Sequence, residues 1–93
     1  MRKYELITIL RNTDSAALDE HKKSLREVLK KYNIEVSKEE EWGTRSTHHE
    51  LEGSTTGFYM VSNCVIDPGQ ITELKRDLAI TDGIMRHMVK RVA

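Results

Sequence analysis

Two helix-forming segments alternate with four strand-forming ones in a chain of 93 residues, a length that allows one modest core and no second. Each helical segment has a single apolar stripe. Leu18, Leu25, Val28, Leu29 and Tyr32 recur at helical spacing in the first, while Asp19, Glu20, Lys22, Lys23, Lys30 and Lys31 fill its outer face. Ile71, Leu74 and Leu78 form the stripe of the second. Both stripes must enter the same core, so both helices lie on one face of one sheet.

The boundaries follow from local chemistry. Tyr4 to Leu10 is a strand with apolar residues on both faces, as a central strand requires. Asn12-Thr13-Asp14-Ser15 starts the first helix, with Thr13 or Asp14 as the cap, and Asn33 ends it in the left-handed conformation. Ile34 to Trp42 reads as an edge strand in which Ile34, Val36 and Trp42 share a face, interrupted by Lys38 and Glu40. The polar stretch Thr44 to Thr56 predicts a loop or exposed hairpin with Gly53–Gly57 at its tip. Phe58 to Ile66 is the most continuous apolar strand and is expected to be central. Asp67-Pro68-Gly69-Gln70 opens the second helix, with Asp67 as cap and Gln70 closing a capping box. Thr81-Asp82-Gly83 then turns the chain into a last strand, Ile84 to Val92. The expected fold is α+β: a ferredoxin-like split βαββαβ arrangement, residues 1–93 forming one domain. Its four-stranded antiparallel sheet has order four-one-three-two, with two helices on one face.

That topology gives the charges a location. Lysines and arginines number 15 and so do the carboxylates, making the formal net charge zero. If the first and last strands pair, Arg2 and Lys3 lie beside Lys90 and Arg91, with Arg86 and His87 further along. A neutral protein that gathers cations in one place is a candidate for binding an anionic polymer, since each neutralised phosphate releases counterions. Exposed edge strands also carry Lys and Arg to prevent aggregation, and pattern alone leaves the two readings level. Toward the opposite edge lie Glu39-Glu40-Glu41, then Trp42. Such a run is either a solvated face or a surface for a basic protein, and Trp42 is either an interface anchor or core.

Other chemistries find little support. His48 and His49 are adjacent and point to opposite sides of a strand, so with His21 and His87 they form no recognised metal site. No nucleophile–base pair, phosphate loop or cofactor motif stands out. Cys64 lies in an apolar run and is expected to be a buried free thiol. Neither a signal peptide nor a membrane span is read in the chain, which points to the cytoplasm.

The opening Met1-Arg2-Lys3-Tyr4-Glu5, the Trp42-Gly43-x-Arg45 element, Gly57-Phe58-Tyr59, and Asp82 followed by Met85-Arg86-x-Met88 together resemble bacterial small-subunit ribosomal protein six. The resemblance covers essentially the whole chain. It implies a structural, non-enzymatic component of the small ribosomal subunit that binds the central domain of its RNA together with small-subunit ribosomal protein eighteen. On this resemblance Arg2, Lys3, Tyr4, Arg86, His87, Lys90 and Arg91 lie near RNA, while Glu39, Glu41, Trp42, Arg45, His48 and His49 lie toward the protein partner. No cofactor, metal, membrane or small-molecule substrate is implied, and the free protein is expected to be a monomer. Thr47-His48-His49-Glu50 departs from the apolar Leu-Ala-Tyr-Pro-like run of the family, and the acidic tail of many members does not follow the last strand. Two alternatives stay open: a ligand-binding regulatory domain, and a small dimeric α+β barrel enzyme with His48 or His49 as base.

Overall fold

The computed structural model describes the backbone of residues 2–12, 14–51 and 54–92, and the side chains of these apart from residues 46–51 and 54–56. Strand β1 (Arg2–Leu10) leads to helix α1 (Ser15–Lys31). A long hairpin of β2 (Glu35–Leu51) and β3 (Ser54–Ile66) follows. A short 3-10 turn (Pro68–Gln70) enters helix α2 (Ile71–Ile80), and β4 (Ile84–Arg91) closes the chain. The sheet order is β2-β3-β1-β4, with β1 antiparallel to both β3 and β4. This is the expected split βαββαβ topology, with the last strand beside the first.

Helix ends are set by side-chain capping. The Asp14 carboxylate accepts from the Ala17 backbone N–H at 2.8 Å, which settles one cap candidate; Thr13 lies outside the described residues. Asn33 takes φ +54, the left-handed stop. Asp67 accepts from Gly69 N–H at 3.0 Å, and Pro68 sits where no donor is needed. The second start differs from expectation in one respect: the chain makes a 3-10 turn first, and Gln70, at the α2 N-cap, makes no capping hydrogen bond with its side chain.

One core lies between the helices and the sheet. Leu18, Leu25 and Leu29 of α1 and Leu74 and Leu78 of α2 pack against Tyr4, Leu6 and Leu10 of β1 and Phe58, Met60, Cys64 and Ile66 of β3. Cross-strand register shows that these positions share a face, Tyr4 opposite Cys64, Leu6 opposite Ser62 and Leu10 opposite Phe58. Burying each large side chain contributes about 1.5–3 kcal/mol. Cys64 is a buried free thiol, and burial pushes its pKa up to about 11, so it stays protonated and unreactive.

The hairpin is where the structure departs furthest from the sequence reading. The polar stretch after Thr44 continues as paired strand, Arg45 opposite Gly57 and Ser46 opposite Thr56, so of the two expectations the hairpin holds and the loop does not; Gly57 lies in the paired strand and not at the tip, and Gly53 lies outside the described residues. Two bulges bend β2. Ser37 is the extra residue between the Val36–Cys64 and Lys38–Asn63 pairs, and Trp42 is the extra residue between Glu41–Met60 and Gly43–Tyr59. Gly43 takes φ +86, a conformation the second bulge requires and other residues adopt only with strain. The first bulge reverses the alternation, so Val36 and Trp42, expected on one face, lie on opposite faces.

Gly57 has a different role. A methyl group there would overlap the Cγ2 of Ile9, because the side chain of Ile9 lies flat over the glycine on the face away from the helices. Gly57→Ala should therefore cost about 1–3 kcal/mol in denaturant unfolding while leaving the helix content of the folded state unchanged. A fully stable Gly57→Ala protein would show that Ile9 is not held there.

Candidate nucleic-acid interface

The face of the sheet turned away from the helices is built from the odd positions of β1 and β3 and the even positions of β4. Ile7 pairs with Val61 and Met88, and Ile9 with Tyr59 and Arg86. Glu5 pairs with Asn63 and Lys90. Ile9 and Val61 are buried even on this uncovered side, at 8% and 4% exposure. Trp42 and Met88 stand partly open at 43% and 42%. Together these residues make a shallow apolar concavity of about 280 Å³ lined by Ile7, Ile9, Trp42, Tyr59 and Met88. Arg86, His87 and Lys90 line it too, and Arg86 and Lys90 are exposed.

The expected strand juxtaposition holds. Tyr4 lies opposite Arg91 and Glu5 opposite Lys90, and Val92 N–H donates to the Lys3 carbonyl at 3.0 Å. The start of β1 and the end of β4 therefore bring Arg2, Lys3, Lys90 and Arg91 to one end of the sheet. Alternation divides the β4 cations: Arg86 and Lys90 share the open face, whereas His87, opposite Thr8, and Arg91, opposite Tyr4, are on the helix side. Neither Arg86 nor Lys90 makes an ion pair among the described residues. Burial, and secondarily the charge of Lys75, holds the His87 imidazole below its ordinary pKa, so it is neutral at pH 7 and adds no positive charge there. Tyr4 is 8% exposed and belongs to the core, which leaves little of it for a ligand.

The acidic run is not an open negative surface. Glu39 accepts from Arg26 of α1 at 2.6 Å, Glu41 from Lys22 of α1 at 3.1 Å, and Glu40 pairs with Lys38 on β2 at 2.8 Å. Lys22 also lies over the Phe58 ring, 4.6 Å from its centroid. Two carboxylates thus fasten the edge strand to α1, and only Glu40 faces the other way. It accepts from Trp42 Nε1 at 3.4 Å, and the Lys38 bond and then this indole bond hold its pKa below the usual carboxylate range. The Arg45 guanidinium sits 5.1 Å from the indole centroid. The side chains of His48 and His49 lie outside the described residues. No group of three or more His, Cys, Asp or Glu side chains is placed to hold a metal among the described residues. No helix among them is long and apolar enough to cross a membrane.

Sequence reasoning passed over Tyr59, Ile7, Ile9 and Met88. The signal was available in the first strand, where Ile7 and Ile9 are apolar at odd positions while Leu6 and Leu10 are apolar at even ones. What hid the site was Trp42, which reaches it only through the bulges of β2.

Known proteins bear on this arrangement at three levels. A crystal structure of 30S ribosomal protein S6 from Thermotoga maritima superposes with a TM-score of 0.85 at 22% identity, covering 98% of this chain and 87% of that one, which establishes a shared fold. The small ribosomal subunit protein bS6 of Symbiobacterium thermophilum is 32% identical over 94 residues, covering all of this chain and 99% of the relative. That of Leptospira biflexa serovar Patoc is 28% identical over 91 residues, with 98% and 97% covered. Because the ribosomal protein S6 family profile matches residues 3–91, nearly every residue of the sheet and both helices, the chain belongs to the ribosomal protein S6 family.

Proposed function

We propose that this chain acts in the bacterial small ribosomal subunit by binding the central domain of the small-subunit RNA together with small-subunit ribosomal protein eighteen. Membership of a family of structural ribosomal components closes the enzyme alternative. The observation that carries the RNA reading is the meeting of β1 and β4. There Lys3 and Lys90 lie on one side of the sheet and Arg2 and Arg91 on the other, with Arg86 further along β4, opposite Ile9, on the same side as Lys90. A backbone running past this end would meet cations on both sides of an edge strand. That geometry suits phosphate contact more than it suits protection against strand pairing, which one side alone would achieve.

The partner protein is assigned to the β2–β3 hairpin and the residues leading into it. Glu39 and Glu41 are engaged with α1, so charge attraction by the acidic run contributes less than the unpaired sequence suggests. A basic partner would have to compete with Arg26 and Lys22 for them. Arg45, His48 and His49 lie further out along the strand and remain the residues through which the hairpin reads its partner. The work is done in the cytoplasm, on the ribosome.

Replacing Arg86, Lys90 and Arg91 together by Ala should weaken binding to small-subunit RNA. Each lost phosphate contact should lower the slope of log affinity against log salt by about one. A filter-binding series across salt concentrations measures this directly. An unchanged slope would assign those cations to edge protection. In contrast, Glu39→Gln with Glu41→Gln should lower stability by about 1 kcal/mol or less for each exposed pair lost. The same double variant should leave the rate of encounter with the partner nearly unchanged, and a large fall in that rate would return the acidic run to the interface.

A further inference from the structure

We infer that Lys75, on helix α2, is a further RNA-contact residue, so that the RNA backbone met at the edge strand β4 continues over the flank of α2; the inference rests on the RNA-binding reading above. Helical phase and sheet order together put Lys75 there. Leu74 and Leu78 are fully buried and fix which side of α2 faces the sheet. At about 100° per residue, Glu73 and Asp77 then lie on one flank of the helix, and Thr72, Lys75 and Ala79, all exposed, on the other. Asp77 settles which flank is which. It accepts from Lys31 Nζ at 2.9 Å and from the Tyr32 hydroxyl at 2.6 Å, so its flank faces α1. Helix α1 in turn reaches β2 through Lys22 and Arg26. Because β2 and β4 are opposite edges of the sheet, the flank of α2 turned away from α1 looks out over β4.

What Lys75 meets on that side is a row of cations. The helix side of β4 carries His87 and Arg91, and Arg2 of β1 lies on the same side at the end where the two strands meet. The charge of Lys75 is felt at His87, where it adds to the larger effect of burial in keeping the imidazole neutral. Lys75 therefore stands level with His87. Arg91 is four residues further along the strand, about 13 Å at about 3.3 Å per residue. That is too far for the two cations to share one phosphate, so a backbone passing both gains two separate contacts.

The carboxylates of this side do not intervene. Lys75 makes no ion pair among the described residues. By register the helix side of β1 and β4 bears no acidic residue, and Glu5, opposite Lys90, belongs to the open face. Glu73 and Asp77 are on the flank toward α1. Asp67 is turned to the Gly69 N–H, and Asp82, in the turn before β4, is paired with Arg11 at 3.2 Å. Arg2, Lys75 and Arg91 thus add to a positive strip with a neutral His87 inside it. A lysine kept for solubility alone needs no such alignment. Lys30 of α1, exposed and without an ion pair among the described residues, lines a groove at the β2 edge and is the natural control.

The probe is a transcript of the central domain of small-subunit RNA, with small-subunit ribosomal protein eighteen present, titrated across salt concentrations. Lys75→Gln should weaken binding about fivefold near physiological salt and lower the slope of log affinity against log salt by about one. Lys75→Arg should keep both, and Lys30→Gln, which removes the same charge at the other edge, should change neither. In the free protein, NMR titration of His87 should show its pKa rising toward the ordinary range in Lys75→Gln, because a neighbouring cation has gone. Thermal unfolding checks that each variant is folded. A folded Lys75→Gln protein with unchanged affinity and slope would overturn the inference. An equal loss in Lys30→Gln would also do so, by showing that net charge alone is read, and so would an unmoved His87 titration. Replacing Arg86, Lys90 and Arg91 by Ala separates the two levels. If that change weakens binding and Lys75→Gln does not, only the contact on α2 falls; if neither matters, the RNA-binding reading falls with it.

Discussion

Each helix of this protein has one apolar stripe, whereas the central strands have apolar residues on both sides, and the architecture depends on that mismatch. Two stripes can cover one face of a four-stranded sheet. Leu6, Leu10, Met60, Ile66, Leu74 and Leu78 close that face completely. The second face then retains Ile7, Ile9, Tyr59, Val61 and Met88 without a layer above it. An exposed apolar patch of this kind marks an interaction surface, and a charged rim keeps it small and soluble. Trp42 covers part of it, which explains how Ile9 and Val61 can be almost buried on a side with no helix. The binding surface is a consequence of the core's composition, and the bulges of β2 adjust it.

The sequence is most legible where one residue answers one local question. Asp14 and Asp67 supply carboxylates to free backbone donors, Asn33 accepts a positive φ, and the apolar stripes set the helix faces. The strand pairing of the two ends follows from topology, and the cation cluster follows from that. Legibility fails along β2, and for a physical reason. Beyond Arg45 the residues of the hairpin are mostly polar, with no apolar alternation, so in sequence they look like loop. Within the reach of α1, alternation depends on a residue count that a bulge silently changes. Ser37 is a single inserted residue, yet it moves Lys38, Glu40 and Trp42 to the face opposite Val36. The three consecutive glutamates look like one acidic surface on paper. Pleating sends Glu39 and Glu41 to the helix and Glu40 to the open face, so a run in sequence is not a patch in space.

That separation also resolves how a chain of zero net charge can attract a polyanion. Fields at a protein surface depend on where charges lie, and at physiological salt they decay over about 8 Å. The molecule measures 35 × 24 × 22 Å, several such lengths in every direction. Several carboxylates on the helix side are neutralised by their own partners: Glu39 by Arg26, Glu41 by Lys22, and Asp77 by Lys31 with a further bond from Tyr32 at 2.6 Å. The helix layer draws on lysines and arginines to hold α1 against β2 and α1 against α2. On the open face of the sheet neither Arg86 nor Lys90 makes an ion pair among the described residues, although Glu5 lies opposite Lys90. Net charge, summed over the chain, averages these two layers into zero. The quantity an approaching phosphate meets is the local sum within one screening length, and at the β1–β4 end of the open face that sum is positive.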